Sequence, residues 1–589
     1  STVRYTPVTA TTQSFADDGL IRISIEDRLL QLANLPAPNS LSYNWRANHS
    51  NFTTLPRISY QFTYDQVDAD GSEATYVPGK VLTGTPFTRS SEDATDINTT
   101  TNVLTFNGTT TSSGFPGAGF TLENAAYTGG ASAMFTGTPE TYYNLNTGQL
   151  GWENDNKWSL ISHVGAPTTQ SPGPGDVVMM RNFGEGNANS WVLMNVDVEV
   201  AAVIFDNTAG GWPPRITVTD GRSVSLGVVS GTGEIMVEVN PALPNLNTTD
   251  IGEFARQASS VFIYKVENDA TYNLYSAFTE YPNLRIEGSN GSANTGLRVM
   301  TNPNPVTINR DLWLDWGGTF RAGNTVNILR DMRPGIGGGG GGRFQFGEGG
   351  SYTVNVTRDL ISNNSANNRV EVLNNTPSTL VHTLRVGGNI TMTTGQLDLF
   401  NGTGTANNAV LELNTATSGS FTDVSGNTPD LFRIVMNKGT STATTFTLSD
   451  NVVLNGPFDG ATKPLTLQNG LLIMDDAALN FTLTSGGADF TIPGSAGLEV
   501  RQGSASTSTT STNANIVLDG LLRVSGGTVT VDAGGTTDTN YIEYTNSGNA
   551  AIEISSGSLT VAGQVRRQLT SDTGVLRFTQ SGGTFIAGT

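Results

Sequence analysis

A ten-residue phrase recurs in the last third of the chain: apolar, any, apolar, two of any kind, Gly, any, apolar, any, apolar. It reads Ile390 to Leu399 around Gly395, Leu465 to Met474 around Gly470, Leu522 to Val531 around Gly527, and Ile552 to Val561 around Gly557. Alternation on each side of the glycine is the signature of a strand, and a glycine at a fixed offset marks a corner that side chains resist. The unit is strand, corner, strand. One such unit buries only a thin apolar row, so its stability must come from stacking on its neighbours, as in solenoids. The copies are unevenly spaced, with room for further rungs at Phe446-Thr-Leu448 and Val452-Val453. Uneven spacing argues against a propeller, whose blades keep a nearly fixed length, and suits a coil that can grow loops without disturbing the stack. The expected architecture is all-β: a right-handed parallel β-helix preceded by a β-rich cap or sandwich domain.

Composition agrees. Charged residues are 14% of the chain while Gly reaches 69 residues, a mixture that disfavours long helices and favours strands joined by tight turns. The formal charge of −20 and the absence of any basic run make nucleic acid an unexpected partner. There is no cysteine, which excludes disulfides and thiolate metal sites. No run of about 18 apolar residues offers a membrane-spanning helix.

Three regions separate. Residues 1–145 alternate in segments such as Ile58-Ser-Tyr60-Gln-Phe62-Thr-Tyr64 and are expected to form a β-sandwich or irregular cap, with a helical pattern at Glu26 to Ala33 ahead of Pro36. Residues 146–380 contain most of the tryptophans and an irregular succession of short strands, with an insertion near 240–275 and a short helix beginning at Ile251. Residues 381–589 carry the regular coils. The last of these, Leu576-Arg-Phe578 with Gly582-Gly583-Thr-Phe585, has no polar cap, so the solenoid is expected to continue past Thr589.

The second region opens with Trp152-x5-Trp158-Ser159 and then Pro174-Gly175-Asp176-Val177-Val178. Together with the Val/Thr/Gly rungs that follow, this resembles the large repetitive cell-surface adhesins of Bacteroidota, over roughly residues 150–589. The resemblance implies an extracellular, surface-exposed protein exported by type IX secretion. It implies work as an adhesin or gliding-motility filament, with the cell envelope or the secretion and motility machinery as partner, and glycans or abiotic surfaces as targets. The family's carboxy-terminal sorting domain is not in this sequence.

Chemistry is sparse. The three histidines, His49, His163 and His382, are far apart in sequence, and no nucleophile-elbow Gly-x-Ser-x-Gly accompanies them, so no catalytic residues are assigned. The best metal candidate is Asp65, Asp68, Asp70 and Glu73, where alternate acids precede Gly71 and can turn several oxygens toward one calcium, although the closing acid of the twelve-residue loop is missing. A solvated turn is the competing reading. The run Gly337 to Gly342 lacks the Gly-Lys-Ser/Thr ending of a phosphate cradle and reads as a loop. Tryptophans 152, 158, 191, 212, 313 and 316 are either sugar platforms or, as bulky aromatics more commonly are, core and capping residues. The leading function is a structural or adhesive surface protein without enzymatic activity. The alternative is a β-helical polysaccharide lyase or glycoside hydrolase, which needs converging carboxylates; Asp398, Asp475, Asp476 and Asp519 lie on the coils without any sign in the sequence that two of them meet.

Overall fold

The computed structural model describes residues 6–12, 19–26, 40–50, 52, 54–69, 72–82, 89–92, 94–107, 120–122, 124–131, 141–146, 150–154, 156–168, 171–173, 176–183, 191–207, 212–248, 250–288, 298–336, 341–373, 380–402, 407–456, 464–484, 488–507, 514–531, 540–545 and 550–588. The chain divides into two units, Ser1–Glu234 with Pro244–Phe254, and Ile235–Leu243 with Ala255–Thr589. Within the described residues the fold is all-β apart from the helix Gly252–Arg256 and three short 3-10 turns.

In the first unit, two antiparallel sheets form a sandwich. One contains Val8–Thr12, Arg57–Thr63 and Val103–Phe106; the other contains Leu20–Glu26, Asn44–Ser50, Ala125–Ala131 and Tyr76–Leu82. The alternation at Ile58, Tyr60, Phe62 and Tyr64 drives these side chains into one aromatic core with Tyr43, Trp45, Phe106 and Tyr127. Trp45 stacks on Phe62 at 4.7 Å, and Phe106 meets Tyr127 edge-on at 4.9 Å. Glu26, where the sequence pattern begins a helix, instead closes a strand; the rest of that pattern lies outside the described residues.

The same unit holds the first three-sided parallel coils. Val177–Arg181, Ala202–Asp206 and Val228–Gly231 stack on one side, Trp191–Met194 and Arg215–Val218 on the second, and Val198–Glu199, Ser223–Ser225 and Asn245–Asn247 on the third. Val178, Val203 and Val229 point inward and are fully buried. Their neighbours Val177, Ala202 and Val228 point outward, yet they too are buried, because Val77, Val81 and Ala126 of the sandwich cover them. The sandwich therefore packs sheet against sheet on the flank of the first coils, where the buried Arg46–Asp250 ion pair (2.9 Å) adds a polar tie.

In the second unit the coils repeat the three-sided plan. Parallel pairing runs in register through Asn283–Gly288, Leu312–Asp315, Met332–Pro334, Leu360–Ser362 and Ile390–Met392 on one side. It continues as far as Ala551–Val561 and Arg577–Gln580. Register places like over like. Leu522 pairs with Ile552, Val524 with Ile554, Val529 with Leu559 and Val531 with Val561, all eight buried in one narrow core as the phrase requires.

The glycine corners are subtler than the phrase. Leu521–Val524 pairs with Gly497–Val500 while Thr528–Thr530 pairs with Ser504–Ser506, so one continuous strand spans two sides and turns between them. Gly503, Gly527, Gly557 and Gly583 stack at this corner; a Cβ on Gly557 would lie 2.1 Å from the Gly527 carbonyl oxygen, and one on Gly583 2.7 Å from that of Gly557. Gly395 turns the same corner, between strands pairing with Leu360–Ser362 and Arg369–Val372. Gly470 does not. Its phrase pairs first with Ile434–Met436 and then with Thr445–Leu448, which places it at the preceding corner. The phrase encodes a bend between two half-buried strands, and the three sides of a coil all offer such bends.

Gly557 has φ 70°, and its Cβ position is occupied by backbone rather than by a flexible side chain. Gly557→Val is expected to lower stability by about 1–3 kcal/mol or more, from positive-φ strain plus the clash, read as a lower urea midpoint. An unchanged midpoint would contradict the stacked-corner geometry.

Candidate functional site

Parallel in-register stacking carries outward side chains into columns, and the candidate sites are places where such columns collect charge. At one corner of the second unit, each coil supplies an Asn or Asp just before an inward apolar residue. Asn283 Oδ1 accepts from Asp311 N (3.2 Å), Asp311 Oδ1 from Asp331 N (3.1 Å) and Asp331 Oδ1 from Asp359 N (3.2 Å). The ladder continues as Asp359 Oδ1 accepts from Asn389 N (2.7 Å) and Asn389 Oδ1 from Ser420 N (3.0 Å). These carboxylates replace strand carbonyls where the backbone bends and would otherwise leave N–H donors unpaired. Asp311 and Asp331 are 1% exposed, so their charges need partners, and arginines provide them. Arg330 Nε lies 2.7 Å from Asp311 and Arg333 Nη2 2.6 Å from Asp331. The sequence signal is the triplet Arg-Asp-apolar at 310–312, 330–332 and 358–360, which the phrase-based reading passed over.

A second column runs Arg321, Gln345, Glu371, Asp398, Asp430. Arg321 Nη2 donates to Gln345 Oε1 (3.1 Å), Gln345 Nε2 to Glu371 Oε1 (2.7 Å), and Asn455 Nδ2 to Asp430 Oδ1 (2.5 Å). Asp398 and Asp430 are cross-strand partners with no base between them. Burial, reinforced by the Asp430 charge, pushes the Asp398 carboxyl up to about 6. A carboxyl with a raised pKa beside a second acid is the kind of pair general acid–base chemistry uses. Of the other acids noted from sequence, Asp475 faces Arg501 at 3.5 Å, Asp476 caps Ala478 N (2.8 Å), and Asp519 accepts from both Thr545 N (3.1 Å) and Thr545 Oγ1 (2.6 Å). They serve separate turns and do not meet Asp398.

In the first unit, a cleft of about 520 Å³ opens beside Trp152 and is lined by Glu153, Ser171, Asp197, Glu199, Ser223 and Ser225. Trp152 itself is buried. Its indole N–H donates to Pro172 O (3.1 Å), that of Trp158 donates to Trp152 O (2.7 Å), and the two rings meet edge-on at 4.9 Å. These tryptophans anchor the start of the coils and present no stacking face. Of the other four considered as platforms, Trp212 is 53% exposed and Trp191, Trp313 and Trp316 are half-buried.

The calcium candidates are placed separately. Asp65 accepts from Val67 N (3.3 Å) as the cap of a 3-10 turn, buried Asp68 accepts from Ser42 Oγ (3.1 Å), and Glu73 accepts from Tyr64 and from Gln66 Nε2 (2.8 Å). Asp70 lies outside the described residues. Among the described residues, no group of three or more acidic or histidine side chains is arranged to hold a metal ion. Of the glycine run, residues 337–340 lie outside the described residues, while Gly341 (φ 89°) and Gly342 lead into the strand Arg343–Phe346.

The histidines stay apart. His382 is buried, stacked on Phe346 (4.8 Å) and Tyr352 (5.6 Å), and accepts from Tyr352 N at Nδ1 (3.1 Å); burial lowers its pKa to about 4. His163 contacts Asn144 O through Nδ1 (3.0 Å) and packs on Tyr143, and burial again favours its neutral form. His49 meets Phe52 edge-on at 6.3 Å. Buried Lys438 points into carbonyls of Asn414 (2.8 Å) and Thr417 (2.9 Å) and of Gly387, and burial lowers its ammonium to about 8. It acts as an internal cation that satisfies a polar corner.

Compared with known proteins, the chain matches no family model, no curated protein and no solved structure. The fold itself places it among parallel β-solenoids.

Because the folded Asp398 pKa is raised, the native state holds this proton more tightly than the unfolded chain, and the group's penalty on stability grows as pH rises from about 4 to 6. Asp398→Asn is expected to raise the urea midpoint at pH 7 relative to the parent and to shrink that difference below pH 4. Equal midpoints at both pH values would show that folding does not raise the Asp398 pKa.

Proposed function

We propose that the chain is part of a cell-surface adhesin or filament-forming structural protein, mediating attachment or gliding through a long β-solenoid. The observation that carries this reading is the repetition of outward columns: Glu499, Arg523 and Glu553 stack in register and interlock, with Arg523 reaching Glu499 at 3.1 Å and Glu553 at 2.8 Å. Such a flank sets alternating charges on successive coils, which suits adhesion built from many weak contacts. The resemblance of the Trp152–Val178 region and its rungs to Bacteroidota surface adhesins supports an extracellular location, type IX export and a role in gliding. Cell-envelope components are the proposed partners, with glycans or abiotic surfaces as targets.

The Asp398–Asp430 pair favours a second reading, a β-helical enzyme acting on polysaccharides, since two neighbouring carboxyls, one with a raised pKa, are the groups acid–base catalysis draws on. One experiment separates the two. The purified chain is incubated with acidic and neutral polysaccharides while reducing ends and unsaturated products are followed, and cells lacking the gene are scored for attachment and surface movement. The expected outcome is loss of attachment with no product formation. Sustained turnover abolished by Asp398→Asn would replace the adhesin reading with the enzymatic one.

A further inference from the structure

Among the described residues, the corner ladder leaves two arginine side chains, Arg310 and Arg358, without a hydrogen bond. Arg310, Arg330 and Arg358 occupy equivalent positions on three successive coils: Arg330 N donates to Arg310 O (3.1 Å), and Arg358 N to Arg330 O (2.9 Å). Each arginine faces the acid of the coil before it. Arg330 pairs with Asp311, and Arg358 approaches Asp331 at 3.7 Å. For Arg310 the preceding residue of the ladder is Asn283, a neutral side chain, and among the described residues Arg310 makes no side-chain hydrogen bond or ion pair. Arg358 is 59% exposed and comes no closer than 3.7 Å to Asp331 or Asp359, beyond hydrogen-bond length. Arg330 spends Nε and Nη2 on Asp311. The carboxylates of Asp311 and Asp331 are buried, while Arg310 and Arg330 are half-buried and Arg358 is exposed. Half-buried Trp313 and Arg333 stand on the adjoining strands, and the Trp313 indole is fixed by its bond to Asp311 (3.2 Å).

We infer that the corner formed by Arg310, Arg330 and Arg358 binds an acidic polysaccharide through its carboxylate or sulfate groups. This rests on the adhesin reading and names the glycan class that it would engage. Guanidinium forks match carboxylate and sulfate oxygens in a way an ammonium does not. Successive coils set the forks about 4.8 Å apart, a spacing close to one saccharide residue, so an extended acidic chain laid along the stack meets one fork per sugar. Buried Asp311 holds Arg330 in place, which lowers the ordering cost on binding. Nucleic acid is the poorer fit: binding it draws on many phosphate contacts, and only three coils carry the column.

The test titrates the full chain with polygalacturonate, with a neutral glucan, with a single-stranded DNA oligomer and with anionic phospholipid vesicles, using the parent and Arg310→Gln/Arg358→Gln. Among the described residues neither guanidinium makes a hydrogen bond, and Asp331 keeps Arg333 at 2.6 Å, so the double variant should keep the parent's thermal midpoint. Arg310→Lys/Arg358→Lys separates fork geometry from charge. The expected result is saturable binding of polygalacturonate that weakens with salt, falls at least about tenfold in the Gln variant, and recovers only in part with lysine. Equal polygalacturonate binding by parent and Gln variant overturns the inference, as does tighter binding of DNA or vesicles than of polygalacturonate. Attachment of cells carrying the Gln variant is scored in parallel: retained attachment with lost polygalacturonate binding leaves the adhesin reading standing and limits this corner to one of its contacts. Loss of attachment in the gene deletion but not in the Gln variant, with unaltered polygalacturonate binding, removes this corner alone.

Discussion

In-register parallel stacking is the constraint from which the rest of the second unit follows. Leu312, Met332, Leu360, Ile390, Phe421, Leu448, Met474, Val500, Val524 and Ile554 each pair with the next, and every one is buried. Burying side chains of this size stabilises by about 1.5–3 kcal/mol each, but only while the coil above and the coil below stay in register. A slip by one residue would turn the whole column outward. The core is thin, so the hydrogen-bond ladder and the apolar column must hold together.

That demand reaches the corners, where strand hydrogen bonds end. Stacked glycines solve one corner by letting backbones approach closely, and the Asn/Asp ladder solves another by supplying oxygen to bent backbone N–H groups. The second solution carries a cost: two carboxylates become buried, and arginines must accompany them. Lys438 does the reverse, an ammonium meeting carbonyls that the turn leaves unpaired. Structural necessity thus populates the flank with charged columns, whose left-over donors are open to binding.

The sandwich meets the opposite problem. Antiparallel sheets can leave one face solvated, yet the outer face around Val77, Val81 and Ala126 is apolar and covers outward valines of the first coils. An outward apolar residue on the first coils is therefore part of a core, whereas outward positions farther along are polar, as at Asn327, Asn355 and Arg385.

The sequence by itself determined the strand-corner-strand unit, the all-β class, the inward residues of the coils and the short helix at 252–256, because alternation and glycine spacing are local and a parallel stack repeats local patterns faithfully. It suggested a helix starting at Glu26, where tertiary pairing with Asn44 instead makes the backbone a strand end, the rest of that pattern lying outside the described residues. It also equated Gly470 with the other corner glycines, since a phrase records a bend without recording which of three sides it joins. The Asp398–Asp430 pair was out of its reach: the two residues are separated by a whole coil of loop-rich chain, and only the register of stacking brings them side by side. The same holds for the arginine corner, whose residues read as scattered single charges until coil length places them one above another. Local periodicity fixes what faces inward, and coil length, visible only when the chain has closed on itself, fixes which outward groups meet.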